Sequence, residues 1–378
     1  MSRGAVFIGL VALAMGAGGC GREPWRAPPP DTMAEDATAG MARVLGQAAE
    51  ERELDFAEAL HPGERGARRR ARLAEGTLGA FRDAGEDLFA LDAPWNGAAP
   101  KPVSPLHVEG GPKTADATRC FGCHHIGGPG GGGTYADVAF FDAAGDDAWS
   151  ARRRLPPMLA GAALLELAAG SDASRVPFGW APGRPRRLRD MVRWSAETHL
   201  GEAPTDDELD ALTVFIALVP PPRRLPPRRA SLTLRAQAGS ETFAAIGCAK
   251  CHVERLSVSS STLELSGGRR LDLSSRLGPA PFTVELYSDL AVHHLGDKLA
   301  EREGPDRDAF VTPPLWGLAS RTAFLHDGRA STPNEAILAH GGEANESRAA
   351  YEALAEKRAD FDLFLTTLGR SPVMTWIR

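Results

Sequence analysis

Four of the five cysteines in this 378-residue chain lie in two copies of one short pattern. Residues 120–124 read Cys-Phe-Gly-Cys-His, and residues 248–252 read Cys-Ala-Lys-Cys-His. Two thiols at this spacing can each form a thioether with a vinyl group of haem, and the histidine that follows can bind the iron. The pattern therefore predicts two covalently bound c-type haems. The residues expected to hold them are Cys120, Cys123, His124, Cys248, Cys251 and His252.

Other uses of paired cysteines explain the two motifs less well. A structural zinc site usually closes over a short loop, whereas Cys120 and Cys248 are 128 residues apart. A disulfide or a thioredoxin-like redox pair would not need a histidine directly after the second cysteine. The haem interpretation accounts for the cysteines and the histidines together.

The fifth cysteine, Cys20, ends a segment that is typical of protein export. Residues 5–14 are apolar and residues 16–19 are small, and the apolar run is too short to cross a bilayer. We expect residues 1–19 to be a signal peptide and Cys20 to carry a lipid anchor, because the sequence before it resembles a bacterial lipobox. We expect the protein at the periplasmic face of a bacterial membrane. The outer membrane is favoured, because the residue after Cys20 is Gly21 and not the Asp associated with retention in the inner membrane. The alternative is ordinary cleavage near an unmodified Cys20.

The elements around the two motifs repeat along the chain. Each motif is followed by a Pro-Pro loop, at 156–157 and at 313–314, and each half ends in an apolar-periodic helix. The first of these helices starts at Thr205 with an acidic first turn, and the second covers residues 360–368. We therefore expect a mainly α-helical fold, in which two tandem cytochrome c-like domains with long loops surround two covalent haems.

This repeat predicts how the chain is divided. The expected segments are a signal peptide (1–19), a lipid-anchored tether and helical extension (20–75), an N-terminal haem domain (76–220) and a C-terminal haem domain (221–378). The extension has no assigned role. The formal net charge of −6 gives no basic character that would favour nucleic-acid binding.

Several blocks of the second half resemble the di-haem oxidoreductase family. These blocks are 286–290 with His293 and Gly296, 312–318, 326–330 and 335–342. Residues 156–166 and 178–180 of the first half fit the same family more loosely. The chain is also similar, more distantly, to bacterial di-haem cytochrome c peroxidases and to the tryptophan-modifying enzyme MauG.

The resemblance implies a second iron ligand at each haem. His340 stands where the peroxidases carry a methionine ligand; a histidine there would lower the reduction potential. A histidine that only interacts with the end of its helix is the alternative. Near the first haem, His199 and Glu197 stand close to the distal acid of the peroxidases, and Met191 stands about where they carry a glutamine. His199 could bind iron, act as a distal base, or be an ordinary surface histidine.

Four more residues have roles that only the resemblance implies. Trp180 stands where a tryptophan bridges the two haems, with a packed core tryptophan as the alternative. His293 and His326 would orient loops or bind haem propionates. A calcium ion would lie near Thr322.

Two functions agree with these residues. One is an exported di-haem oxidoreductase that transfers electrons between its haems and reduces peroxide or another small oxidant at the N-terminal haem. The other is a non-enzymatic electron-transfer lipoprotein with two six-coordinate haems, which the replacement of glutamine by Met191 favours. In both cases we expect the partner to be a small soluble electron-donor protein or another cytochrome.

Overall fold

The computed structural model of the chain describes residues 62–93, 95, 119–125, 130–133, 139–141, 152–300 and 306–369. The predicted signal peptide, Cys20 and most of the predicted extension lie outside these residues. The last part of the extension is described, and it contains a helix at Pro62–Ala74.

The described chain is mainly helical, as predicted. The helices of eight or more residues are α1 (Pro62–Ala74), α2 (Leu78–Ala90), α3 (Ala162–Ala169), α4 (Leu188–Ser195), α5 (Asp206–Ala217), α6 (Ala230–Ala245), α7 (Asn345–Glu352) and α8 (Arg358–Thr367). Shorter helices cover Cys120–Cys123, Ser274–Leu277 and Pro333–Ala339.

The strands are short and form antiparallel pairs. The pairs are β1 (Ala139–Phe141) with β2 (Arg152–Arg154), β3 (Arg255–Val258) with β6 (Phe282–Glu285), β4 (Thr262–Glu264) with β5 (Arg270–Asp272), and β7 (Val292–His294) with β8 (Ala309–Val311). None of the described strands has more than one partner, so the helices and loops carry the fold.

The predicted helix that closes the first half has the local chemistry expected at its start. The Thr205 side chain accepts a hydrogen bond from the Glu208 backbone N–H, and the Glu208 side chain accepts one from the Thr205 backbone N–H. This capping box satisfies two backbone donors that a helix start would leave without partners. The helix that closes the second half is α8, which confirms the prediction for residues 360–368 within two residues at its start.

Two helix pairs have the same close approach. In the first half α2 packs on α5, and a Cβ atom added at Gly85 would lie 2.0 Å from the carbonyl oxygen of Ala211. In the second half α6 packs on α8, and a Cβ atom added at Gly239 would lie 2.0 Å from the carbonyl oxygen of Asp360. Only glycine allows backbones to approach this closely.

Aromatic side chains fill the space beside each crossing. The ring of Phe89 on α2 lies 5.2 Å from that of Phe215 on α5, and the ring of Phe243 on α6 lies 5.3 Å from that of Phe364 on α8. Apolar residues from the strands that follow the second motif join the first of these cores: Leu256, Val258, Leu263, Leu271 and Val284. The two halves therefore share part of their buried interior.

None of the helices in the described ranges is both long and apolar enough to cross a membrane.

Candidate haem sites

The two Cys-x-x-Cys-His motifs fold into the same turn. Residues Cys120–Cys123 form one helical turn, and the backbone N–H of His124 donates to the carbonyl of Cys120 (3.0 Å). In the second motif the backbone N–H of His252 donates to the carbonyl of Cys248, also at 3.0 Å. In each case one turn brings the two thiols and the histidine to the same region.

The thiols lie in surroundings that favour their neutral form. Burial, with a smaller effect of Cys123, raises the pKa of Cys120 to about 12. Burial also raises the pKa of Cys248 to about 12 and that of Cys251 to about 11. A redox-active dithiol depends on a lowered thiol pKa, and zinc binds the thiolate. Disulfides are absent among the four described cysteines. These surroundings are suited to neutral thioethers.

Each motif histidine is oriented by a backbone carbonyl. The Nδ1–H of His124 donates to the carbonyl of Pro157, and the Nδ1–H of His252 donates to that of Tyr287, each at 2.9 Å. A carbonyl can only accept, so Nδ1 carries the proton and Nε2 is left with its lone pair. This arrangement is typical of histidines that bind a metal through Nε2. Burial lowers the pKa of both histidines to about 4, so both imidazoles are neutral near pH 7, as a metal ligand must be.

The structure brings a second histidine to each motif histidine. Burial is the largest cause of the lowered pKa of His124, and the charge of His199 lowers it further. In the same way, the charge of His340 adds to the effect of burial on the pKa of His252. The four predicted iron ligands are thus grouped in two pairs, one at each motif. The Nδ1–H of His340 donates to the carbonyl of Ala336 (2.7 Å), which again leaves Nε2 as the ligand atom.

His199 lies on a π-helical turn that continues α4, at Ala196–Leu200. Such turns are rare and frequently occur at functional sites. The ring of Trp194 meets the His199 ring edge-on, with centroids 5.6 Å apart. Glu197, predicted to act with His199, is exposed on the same turn. Met191 is partly buried, and packs against the first core.

A buried ion pair fixes the helix that carries this turn. Nε of Arg189 on α4 donates to a carboxylate oxygen of Asp210 on α5 (2.6 Å), and Asp210 is fully buried. Asp210 also accepts hydrogen bonds from the backbone and the hydroxyl of Ser266. The position of His199 therefore depends on contacts between α4, α5 and the loop between β4 and β5.

The glycine-rich segment after the first motif packs directly on that motif. The backbone N–H of Gly130 donates to the carbonyl of His124 (3.0 Å). A Cβ atom added at Gly133 would lie 2.9 Å from the carbonyl oxygen of Cys123 and 2.8 Å from Cγ of Pro156. The described part of this segment, residues 130–133, therefore approaches both the motif and the Pro-Pro loop closely.

Trp180 lies where loops of the two halves meet. Its Nε1–H donates to the carbonyl of Leu155 (3.0 Å), and its own carbonyl accepts from the N–H of Val311 (3.0 Å). The ring is buried and packs with Leu155 and Ala323. Nearby, a Cβ atom added at Gly317 would touch Met158, so the two Pro-Pro loops are in contact. A place for Trp180 between the two haems stays a prediction.

Arg321 lines the crevice next to Trp180, together with Pro156, Pro157 and Met158. Within the described part of the chain, its guanidinium makes one long hydrogen bond, from Nη2 to the carbonyl of Pro314 (3.4 Å), and forms no ion pair with a carboxylate. Burial lowers its pKa to about 10. A buried guanidinium needs an anionic partner. The groups at these sites therefore fit haem. The guanidinium can pair with a propionate carboxylate, and the paired histidines and neutral thiols fit the iron and the vinyl groups.

Three other residues with predicted roles lie in the described part of the chain. His293 lies between two carboxylates, those of Asp289 and Glu343, at 2.8 Å from each. His326 is buried and stacks on Phe310 (4.4 Å), and its carbonyl accepts from Leu155, so it holds a loop of the second half against the first. Thr322 is exposed, and the calcium site near it stays a prediction.

The sequence analysis missed several residues of these sites. Glu343, Arg321 and Trp194 were given no role, and neither were the carbonyls of Pro157 and Tyr287. Pro157 and Tyr287 stand in blocks that the sequence analysis had singled out for other reasons. The other three had no local signal, since their contacts come from distant parts of the chain.

Comparison with known proteins supports a redox role. Residues 191–368 match the family model described as "Di-haem oxidoreductase, putative peroxidase", which confirms the resemblance found in the sequence. The match covers His199, the second motif and His340, and it begins after the first motif and Trp180 in the sequence. None of the curated proteins matches the chain.

Two solved structures are similar to the chain at 17% sequence identity. One is the hydrazine synthase of Kuenenia stuttgartiensis, pressurised with xenon, which has a TM-score of 0.43 over 76% of this chain and 87% of that chain. The other is a MauG-like protein associated with microbial copper homeostasis, with a TM-score of 0.39 over 75% of this chain and 98% of that chain.

Proposed function

We propose, from this family resemblance and from the paired histidines, that the chain is an exported di-haem c-type cytochrome oxidoreductase that transfers electrons between its two haems. The observation that carries the proposal is the grouping of four histidines in two pairs, His124 with His199 and His252 with His340. Two imidazoles at one site are suited to hold an iron from both sides.

Each protein group has a specific part in this function. Haem, when bound, supplies an iron that takes up and releases one electron at a time. His124 and His252 hold Nε2 towards their sites because backbone carbonyls fix Nδ1. Trp180 fills the space between loops of the two halves with an aromatic ring, which shortens the gap that an electron must cross. Arg321 offers a charge to a propionate at the same crevice.

The organisation of the chain is part of the proposal. We interpret residues 76–220 and 221–378 as tandem cytochrome c-like domains, and the equal approaches at Gly85 and Gly239 support a common origin. A lipid anchor at Cys20 would hold the protein at the periplasmic face of the membrane. The partner would be a small soluble electron-donor protein or another cytochrome.

A second candidate function is the reduction of a small oxidant such as peroxide at the first site. The π-helical turn favours it, because His199 lies on a segment with irregular hydrogen bonding and Glu197 is exposed beside it. Reduction of hydrogen peroxide to two waters consumes two electrons and two protons. If His199 is displaced from the iron, its imidazole and the Glu197 carboxylate are placed to move those protons.

The test is an EPR spectrum of the purified protein, as isolated and half-reduced, compared with that of His199→Gly. Two low-spin bis-histidine signals in the wild type, with the first replaced by a high-spin signal in His199→Gly, would establish the electron-transfer function. A high-spin signal in the half-reduced wild type that hydrogen peroxide alters would establish the peroxidase-type function. A His199→Gly spectrum identical to that of the wild type would contradict ligation by His199.

A further inference from the structure

The second site contains a cluster of charged side chains that the proposed function does not use. His293 on β7 has a carboxylate on each ring nitrogen: Asp289 at Nε2 and Glu343 at Nδ1, each at 2.8 Å. Because a carboxylate accepts and does not donate, both nitrogens must carry protons, and the ring is an imidazolium. We name Asp289, His293 and Glu343 the clamp.

One side of the clamp belongs to the loop that orients His252. Residues 286–289 run beside the chain that follows the second motif, and the backbone N–H of Asp289 donates to the carbonyl of Cys251 (2.9 Å). Tyr287, two residues before Asp289, supplies the carbonyl that accepts the Nδ1–H of His252. A shift of Asp289 would therefore move the group that sets the direction of His252.

The other side of the clamp belongs to the segment that follows His340. Glu343 lies three residues after His340, and its second carboxylate oxygen accepts the backbone N–H of His294 (2.8 Å). The backbones are in contact here, since a Cβ atom added at Gly342 would lie 2.1 Å from the carbonyl oxygen of His294. Glu343 thus fixes the chain just beyond the predicted ligand.

We propose that His293 is a positioning residue: its imidazolium joins the loop that orients His252 to the segment that follows His340, and so keeps both imidazoles on the second iron. The inference rests on the proposed function, because it takes His252 and His340 as the two ligands. Hydrogen bonds between charged groups are about twice as strong as those between neutral ones. The ring makes two of them, one to the partly buried Asp289 and one to Glu343, whose side chain is 50% exposed.

The same atoms are not a separate metal site. Cys251, Asp289 and His293 each place one potential ligand atom within 4.8 Å of the others. The sulfur of Cys251 is predicted to form a thioether, however, and both nitrogens of His293 already donate to carboxylates.

The test measures how readily added imidazole replaces His340 on the second iron, with His293→Gln as the main variant. Glutamine is neutral, and it cannot form both ion pairs. Glu343→Gln removes one ion pair and keeps the shape, so it serves if His293→Gln fails to fold. The matched control is His294→Gln, at the next residue, whose ring pairs with Asp308 (2.9 Å) outside the clamp. Glu346→Gln, an exposed carboxylate on the same segment as Glu343, is a second control.

Imidazole is titrated into the oxidised proteins, and low-spin EPR signals report each iron. The signal that disappears in His340→Gly identifies the second haem. We expect His293→Gln and Glu343→Gln to bind imidazole there at least tenfold more tightly than the wild type, and both controls to match the wild type. Equal affinities in all these proteins would overturn the clamp alone. If His340→Gly leaves the spectrum unchanged, the proposed ligation is wrong. Haem content and far-UV circular dichroism confirm that each variant is folded.

Discussion

The close approach between α2 and α5 predicts that Gly85→Ala destabilises the protein, whereas helix propensity alone predicts that it stabilises it. Replacing Gly85 with alanine should stabilise a helix by about 1 kcal/mol on propensity alone. In the structure the new Cβ atom would lie 2.0 Å from the carbonyl oxygen of Ala211, whereas Cβ atoms essentially never come within 3.0 Å of such atoms. The helices would have to separate by on the order of 1 Å, and overpacking of this kind costs about 1–3 kcal/mol. We expect the upper end of that range, because the obstacle is backbone.

The control is Gly79→Ala in the same helix, where an added Cβ atom has nothing within 4 Å. Gly79 is the second residue of α2, where the propensity gain is at most that of the interior Gly85. The difference in their urea midpoints, followed by circular dichroism on the haem-loaded protein, therefore gives a lower limit to the cost of separation. We expect Gly85→Ala to be less stable than Gly79→Ala by about 3 kcal/mol. Equal midpoints would refute the reasoning. Gly239→Ala should repeat the loss at the second crossing.

Three further predictions concern charged groups. Arg321→Gln should lower the midpoint potential of at least one haem by about 59 mV, a tenfold change in the ratio of reduced to oxidised iron, because a nearby cation favours the reduced form; a redox titration with both potentials unchanged would contradict its place near a propionate. Asp210→Ala should cost about 1–3 kcal/mol in urea denaturation, since Arg189 keeps Asp206 as a partner (2.6 Å) but loses its buried ion pair, and the Ser266 hydroxyl loses its acceptor; an unchanged midpoint would contradict this. Although burial lowers the pKa of His293, hydrogen bonds to its two carboxylate partners raise it above the ordinary value. The contribution of the clamp should be complete below about pH 6.5 and be lost as the pH rises through the raised pKa, so the difference in imidazole affinity between His293→Gln and the wild type should disappear at alkaline pH; a ratio of affinities independent of pH would contradict the prediction.

Much of the fold and of the motif chemistry could be predicted from local sequence patterns. The cap at Thr205 and the turn at Cys120–Cys123 depend on residues within four positions of each other, so their sequence specifies them directly. The pairing of His340 with His252 was also anticipated, but through the family resemblance and not through any local pattern. Ligation itself, by His340 or by His199, stays a prediction.

The rest of the site depends on contacts between distant residues. Glu343 and His293 are 50 positions apart, and neither the charge nor the spacing of Glu343 distinguishes it from other surface acids before the chain is folded. Arg321 is a similar case. Its neighbours in the sequence do not show that it lines a crevice together with the loop at 156–158. Tertiary contacts decide both positions, and a pattern read along one chain does not contain them.

The two predicted distal histidines are held in different ways, and this difference bears on which iron can open. His340 follows a regular helix, and its Nδ1–H is held by the carbonyl of Ala336 while the clamp fixes the segment beyond it. His199 lies on a π-helical turn and meets the edge of Trp194, a partly buried ring covered by the guanidinium of Arg184 (4.0 Å). A π-helical turn is an irregularity within a helix and often marks a functional site, whereas His340 has the additional restraint that we propose for the clamp. If one iron exchanges its ligand to admit a small oxidant, the geometry favours the first site, and the second site is then suited to keep both imidazoles and supply electrons.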